Sequence, residues 1–197
     1  MSELEDNLIN IPSIEVPKVF FSEKTNRPFN TCSMCGNGLN EFELHFVEKA
    51  FGMPANSKEH ELIFEYALCS ECLESTREEI SEESRKNIEM YFKLYVDVAE
   101  RNKKLLSKNH IDLNSWIGNC IITGKPVLEE KEYIIGGAFL GNRMILNVMP
   151  YAMSEKAMFE IQELLSKKTK DFLDGFQKKV FPPDVRERVP DGSLIIL

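Results

Sequence analysis

Apolar and polar positions alternate twice along this chain, and each time the alternation gives way to helical spacing. Residues 42–46 read Phe-Glu-Leu-His-Phe, a period of two that predicts a strand. Residues 52–58 read as a loop and 61–68 as a second strand. From Leu73 the apolar residues follow a helical period: Ile88, Tyr91, Phe92, Tyr95 and Ala99 form one stripe. Ser75 followed by Glu78 has the spacing of a capping box. The helix is expected to run from about 72 to 108, continuous or broken near 81–84, and to end at Asn109 and His110.

The same order returns downstream. A turn surrounds Gly124 and Pro126, strands are expected over 132–135 and 143–148, and Ser154 is placed as the N-cap of a helix. That helix turns Met158, Ile161, Leu164 and Leu165 inward. A further helix over 169–180 carries Phe172, Leu173, Phe176 and Val180 on one side and stops at Pro182 and Pro183. Residues 193–197 read as an added strand. Residues 1–28, interrupted by Pro12, Pro17 and Pro28, read as an extended arm whose Ile14, Val16, Val19, Phe20 and Phe21 pair as a strand or pack on the core.

Two Cys-x-x-Cys pairs punctuate the first of these segments: Cys32 with Cys35, followed by Gly36, and Cys69 with Cys72. Zinc in structural sites takes four ligands in a tetrahedron, with sulfur at about 2.3 Å. A Cys-x-x-Cys turn supplies two thiolates from one tight loop, and a following glycine permits the left-handed conformation that aims N–H groups at sulfur. The second pair falls where a strand ends and a helix begins. Free N–H groups and the positive end of the helix dipole there offset the thiolate charge. Cys32, Cys35, Cys69 and Cys72 are therefore the expected ligands of one structural Zn²⁺. Iron remains an alternative at an all-sulfur site.

A Cys-x-x-Cys-Gly knuckle, a hairpin, and a helix whose first turn brings the last two cysteines resemble the treble-clef type of zinc finger. The likeness covers roughly residues 30–100 and is one of fold, with 33 residues between the pairs. A shift of 88 residues then lays Cys32 on Cys120, Gly36 on Gly124, Glu41 on Glu129, Ala50 on Ala138 and Phe51 on Phe139. Cys35 meets Thr123 in the same register, and with three residues fewer in the second hairpin Cys69 and Cys72 meet Ser154 and Ala157. The expected fold is α+β: an arm over 1–28, a zinc-binding half over 29–112, and a metal-free half over 113–197 that has lost its ligands. Cys120 is expected as a small buried residue.

Charge narrows the function classes. Residues 41–100 carry fifteen acidic and six basic side chains, against a whole-chain net charge of −8. Phosphate backbones are repelled by such a surface. The basic clusters are Lys103, Lys104 and Lys108, and Lys167, Lys168 and Lys170, all read as lysines at helix ends. The acidic run Glu78, Glu79, Glu82 and Glu83 reads as a solvated helix face. No apolar stretch reaches a membrane span, and the N-terminus lacks a secretory pattern, which points to a reducing cytoplasm.

His45, His60 and His110 lie outside any catalytic motif, and His45 shares parity with Glu43, which suggests an outward face. The glycines of Gly136-Gly137-Ala-Phe-Leu-Gly141 fit a hairpin turn better than a phosphate loop. The reading that results is a zinc-stabilised binding or adaptor module with a protein partner, met through the acidic helix face at 74–89 or a groove between the halves. A nucleic-acid-associated regulator using the second-half lysines is the alternative. An enzyme is disfavoured, and a thiol redox switch would require Cys69 or Cys72 of lowered pKa.

Overall fold

A computed structural model describes residues 11–39, 43–107 and 111–189. One antiparallel sheet organises the chain. Its strands are β1 (Ser13–Glu15), β2 (Leu44–Gly52), β3 (Glu61–Cys69), β4 (Glu132–Leu140), β5 (Arg143–Ile145) and β6 (Tyr151–Ser154). The order across the sheet is β1-β5-β4-β2-β3, with β6 sharing the β5 side of β4. The helices are α1 (Ser70–Glu79), α2 (Glu82–Tyr95), α3 (Val98–Leu106), α4 (Leu113–Ile117), α5 (Glu155–Glu163), α6 (Lys167–Val180) and α7 (Pro183–Arg186). None of the described helices is long and apolar enough to cross a membrane.

β2 and β4 pair along their full length, from Leu44 opposite Leu140 to Gly52 opposite Glu132. At the middle of this seam Glu48 faces Gly136, with Tyr66 of β3 beside Glu48 and Tyr151 of β6 beside Gly136. β2 is buried on both faces, and this overturns the outward placing of His45: its ring is 5% exposed and stacks on Phe139. Period-two alternation separates core from solvent only where one face is wet. Charged members of β2 are buried with partners. Tyr66 donates to Glu48 at 3.0 Å, while Lys49 reaches Glu65 at 3.1 Å and the Phe21 carbonyl at 2.6 Å.

β2 and β4 are longer than the alternation predicts, whereas the strand expected over 143–148 is only β5, Arg143–Ile145, and β6 was not expected. β2 runs on through Gly52, and β4 continues through Gly136 and Gly137 to a turn at Gly141, whose φ is 54°. Of the glycines expected in a hairpin turn only Gly141 lies in one; Gly136 and Gly137 are inside β4, where the close approach of Tyr151 and Phe139 leaves no room for a side chain. The arm pairs Ser13–Glu15 with β5 and seats Phe20, fully buried, edge-on to Phe139 at 5.3 Å. The expected strand at 193–197 and the helix end at Asn109 and His110 lie outside the described residues.

Helix boundaries need several corrections. Ser75 is interior to α1, whose N-cap is Cys69, so no capping box forms there. The long 72–108 helix is three, with Ser81 and Asp97 capping the second and third. Both side chains offer an oxygen to an N–H of the next turn, which favours a fresh start over continuation. Ser154 caps α5 as expected, and Ser166 caps α6. Lys103 and Lys104 do lie in the last turn of α3, but Lys167 and Lys168 begin α6, where the dipole does not favour them.

Candidate metal centre

The backbone builds the site before the sulfurs are considered. Gly36 has φ 78°, and its N–H donates to the Cys32 carbonyl at 3.0 Å, closing the knuckle. The Cys32 N–H returns to the Asn37 carbonyl at 2.8 Å. A second pair of bonds fastens the knuckle to β3: Ser33 N–H to the Ala67 carbonyl at 2.8 Å, and Ala67 N–H to Ser33 Oγ at 3.1 Å. β3 then delivers Cys69 at its last position, and the first turn of α1 brings Cys72 to the same place. Thr76, fully buried, donates to the Cys72 carbonyl at 2.8 Å.

All four expected ligands are brought together. The sulfurs of Cys32, Cys35, Cys69 and Cys72 lie within 4.8 Å of one another, with Cys35 and Cys69 at 3.9 Å. A tetrahedron with metal–sulfur bonds of about 2.3 Å requires sulfurs roughly 3.8 Å apart, so a modest contraction accommodates a metal ion. Cys32 and Cys69 are buried, Cys72 half-buried and Cys35 exposed, which places the cluster at the surface end of β3.

Electrostatics suit a cation. Burial raises the Cys32 thiol, but the backbone N–H groups of Cys35, Cys69 and Met34 outweigh it and bring the thiol down to about 7. The Cys69 N–H approaches Cys32 Sγ at 3.5 Å. Burial, and then the neighbouring thiols, hold Cys72 well above its usual range, and burial raises Cys69. One sulfur is ready to ligate at neutral pH, and a metal must displace protons from two others. The lowered thiol is Cys32, whereas the redox-switch reading expected the lowering at Cys69 or Cys72.

The remaining sequence candidates fall elsewhere. His45 Nδ1 lies 3.2 Å from the Glu43 carbonyl, and burial holds its ring below the ordinary histidine range. His60 Nε2 donates to the Glu130 carbonyl at 2.8 Å. His110 is outside the described residues. Glu78, Glu79, Glu82 and Glu83 are all exposed.

Around Cys120 the bonds of the first knuckle recur 88 residues on. The Gly124 N–H meets the Cys120 carbonyl at 2.8 Å, with φ 69° at Gly124, and the Cys120 N–H meets the Lys125 carbonyl at 2.8 Å. The Ile121 N–H meets the Ala152 carbonyl at 2.8 Å, matching Ser33 and Ala67. Ser154 stands at the N-cap, as Cys69 does, and donates to Cys120 Sγ at 3.3 Å. Cys120 is 2% exposed, the buried placing expected of it.

Where a groove between residues 29–112 and 113–197 was expected, an open cleft of about 760 Å³ is walled by α1 and α2 on one side and by Ile121, Val148, Met149 and Tyr151 on the other; sequence reasoning did not name this lining. Its signal was the apolar stripe of α2, which is more than one neighbour covers. Compared with known proteins, the chain matches no family model, and no curated protein or solved structure gives a significant match.

Proposed function

We propose that this protein is a zinc-stabilised binding or adaptor module that engages another protein in a reducing, cytoplasmic setting. The observation that carries the reading is the sulfur cluster itself. It ties the knuckle, the end of β3 and the start of α1 into one corner. All four positions are filled by thiolate ligands, the pattern of closed structural zinc sites. Zinc there acts through folding, fixing the direction in which α1 leaves the sheet. The acidic faces of α1 and α2 supply a surface that favours protein partners over phosphate backbones.

The knuckle, hairpin and helix of residues 29–112 are assigned to the treble-clef type, and residues 113–197 to a degenerate copy of the same plan. Support comes from the recurring hydrogen bonds at Cys32 and Cys120, and from α2 and α6, each of fourteen residues and each capped by serine. Thr123, Ser154 and Ala157 replace three ligands in the second copy, so that copy relies on apolar packing.

Native mass spectrometry of the purified protein and of Cys69→Ser tests the reading. One zinc per chain is expected, lost from the variant together with about 4 kcal/mol or more of stability, as for other structural metals. A well-folded chain that carries no metal would overturn it.

A further inference from the structure

The two segments treat their helices differently. α6 lies on β3, where Phe176 meets the Tyr66 ring edge-on at 6.0 Å. Phe181, just beyond α6, covers Phe64 and Tyr66 at 4.7 and 5.9 Å. Leu173 is fully buried and the Tyr66 hydroxyl is bonded to Glu48. An offset of 85 residues takes Phe64 and Tyr66 to Met149 and Tyr151, Leu173 to Ile88, and Phe181 to Val96. There the cover is thinner: Met149 is half-buried where Phe64 is buried, although Tyr151 itself is 4% exposed. Met149 and Tyr151 line the cleft with Ile80, Ile88 and Phe92; Ile88 and Phe92 are only half-buried, and the buried Tyr151 hydroxyl has no hydrogen-bond partner.

α2 does not close over this floor because its other face is engaged. Tyr91 bonds to Glu160 of α5, and the Asn87 side chain donates to the Leu164 carbonyl at 3.2 Å. These contacts, made one residue before Ile88 and Phe92, tie α2 beside the cleft. Glu74, Glu78 and Glu89 stand on the rim with Arg77 and Arg85. Over Ser70–Tyr95 as a whole, seven glutamates face four basic side chains.

We propose that this cleft docks a basic amphipathic helical segment of another protein. A large apolar side chain of that segment sits between Met149 and Phe92, beside the buried Tyr151, in the place Phe181 takes over Phe64 and Tyr66. The proposal rests on the binding-module reading and deepens it. The internal counterpart supplies the shape of the occupant, an aromatic side chain leading into a helical turn, because Phe181 is followed by α7. The charge excess supplies its sign. Along α2 the cleft-lining positions Arg85, Ile88, Glu89 and Phe92 follow the helical spacing on which helix-in-groove recognition relies.

The probe is a fluorescent amphipathic helical peptide of leucine, lysine and one phenylalanine, read by anisotropy against the full-length zinc-loaded protein. Its twin carries glutamate in place of every lysine. Saturable binding is expected for the lysine peptide, weaker by about tenfold or more for the twin and for Phe92→Asp. Leu94→Asp, on the exposed face of α2, leaves the affinity unchanged. Glu78→Lys with Glu89→Lys, both at exposed positions, weakens binding without disturbing the fold.

Equal binding of the twins, indifference to Phe92→Asp, or no saturable binding at all would overturn the proposal. So would Phe92-dependent self-association in sedimentation, which assigns the cleft to a second copy, or a fatty acid that excludes the peptide. Zinc content measured on the same samples separates the failures. A zinc-loaded protein that ignores the peptide removes the cleft assignment alone, whereas a folded chain without zinc removes the reading beneath it.

Discussion

Ser81 and Ser166 meet hydroxyl to hydroxyl at 2.8 Å, each the N-cap of one of the two fourteen-residue helices, α2 and α6. The bonds around them are reciprocal. The Ser81 N–H donates to Thr169 Oγ1 at 3.1 Å, and the Ser166 N–H to Ser84 Oγ at 2.9 Å. Two helix N-termini thus satisfy N–H groups in each other, in a place where Ser84 and Thr169 have no exposed surface. Replacing either cap by alanine is expected to cost about 1–2 kcal/mol. Because the pair shares one hydrogen bond, Ser81→Ala and Ser166→Ala together should cost less than their sum. Urea unfolding of the four proteins in this cycle reads the coupling, and strict additivity would show that the caps act independently.

The second knuckle keeps the backbone of the first without its ligands. Thr123→Cys, Ser154→Cys and Ala157→Cys, with the resident Cys120, should therefore create a second four-sulfur site. Two zinc ions per chain are expected by native mass spectrometry in place of one. A triple variant that folds and still takes one zinc would show that the shared hydrogen bonds at 32–38 and 120–126 do not carry the ligand geometry with them.

Gly136 sits beneath the Tyr151 ring, where an added Cβ would come within 2.5 Å of the ring and its hydroxyl. Gly136→Ala must push that ring aside in a packed interior. A loss of about 1–3 kcal/mol follows for overpacking of this kind, measured as a lower melting temperature. A neutral result would mean that the Tyr151 ring moves freely.

Burial holds His45 below the ordinary value of 6.5, while the unfolded chain titrates near that value. Below pH 6.5 the unfolded state binds the extra proton first, so stability falls as pH drops toward the folded pKa. Above pH 6.5 the contribution is fully present. His45→Phe keeps a ring against Phe139 and removes the titration. Its unfolding free energy should decline less between pH 6.5 and 5 than that of the parent. Acid competition for the thiolates is common to both proteins and cancels in the comparison.

The four-cysteine cluster was legible because its chemistry is local. Two Cys-x-x-Cys turns, one glycine and a strand-to-helix junction determine where four sulfurs go, and each leaves a mark within a few residues. Ser154 as a cap and Cys120 as a buried thiol were legible for the same reason. His45 was not. Its burial depends on Phe139 of β4, 94 residues on, stacking on its ring, and alternation along β2 carries no trace of that. Ser75 misled because a serine three residues before a glutamate also occurs inside helices; Cys69 had already started α1. A groove was expected, but its lining was hidden for a third reason: the stripe on α2 records how much apolar surface exists, not which neighbour takes it.

The seam between β2 and β4 has a consequence for any attempt to divide this chain. The nine pairs from Leu44 to Gly52 join segments that the connection through α3 and α4 separates. A chain severed between Leu106 and Leu113 would give two pieces, each ending its sheet in a long, apolar, raw edge. Such edges recruit strands, and the best-matched strand would be the missing piece. Expressed apart, the pieces should aggregate. Expressed together and fused to the two parts of a split reporter, they should find each other and restore its signal, the protein serving as its own complementation partner.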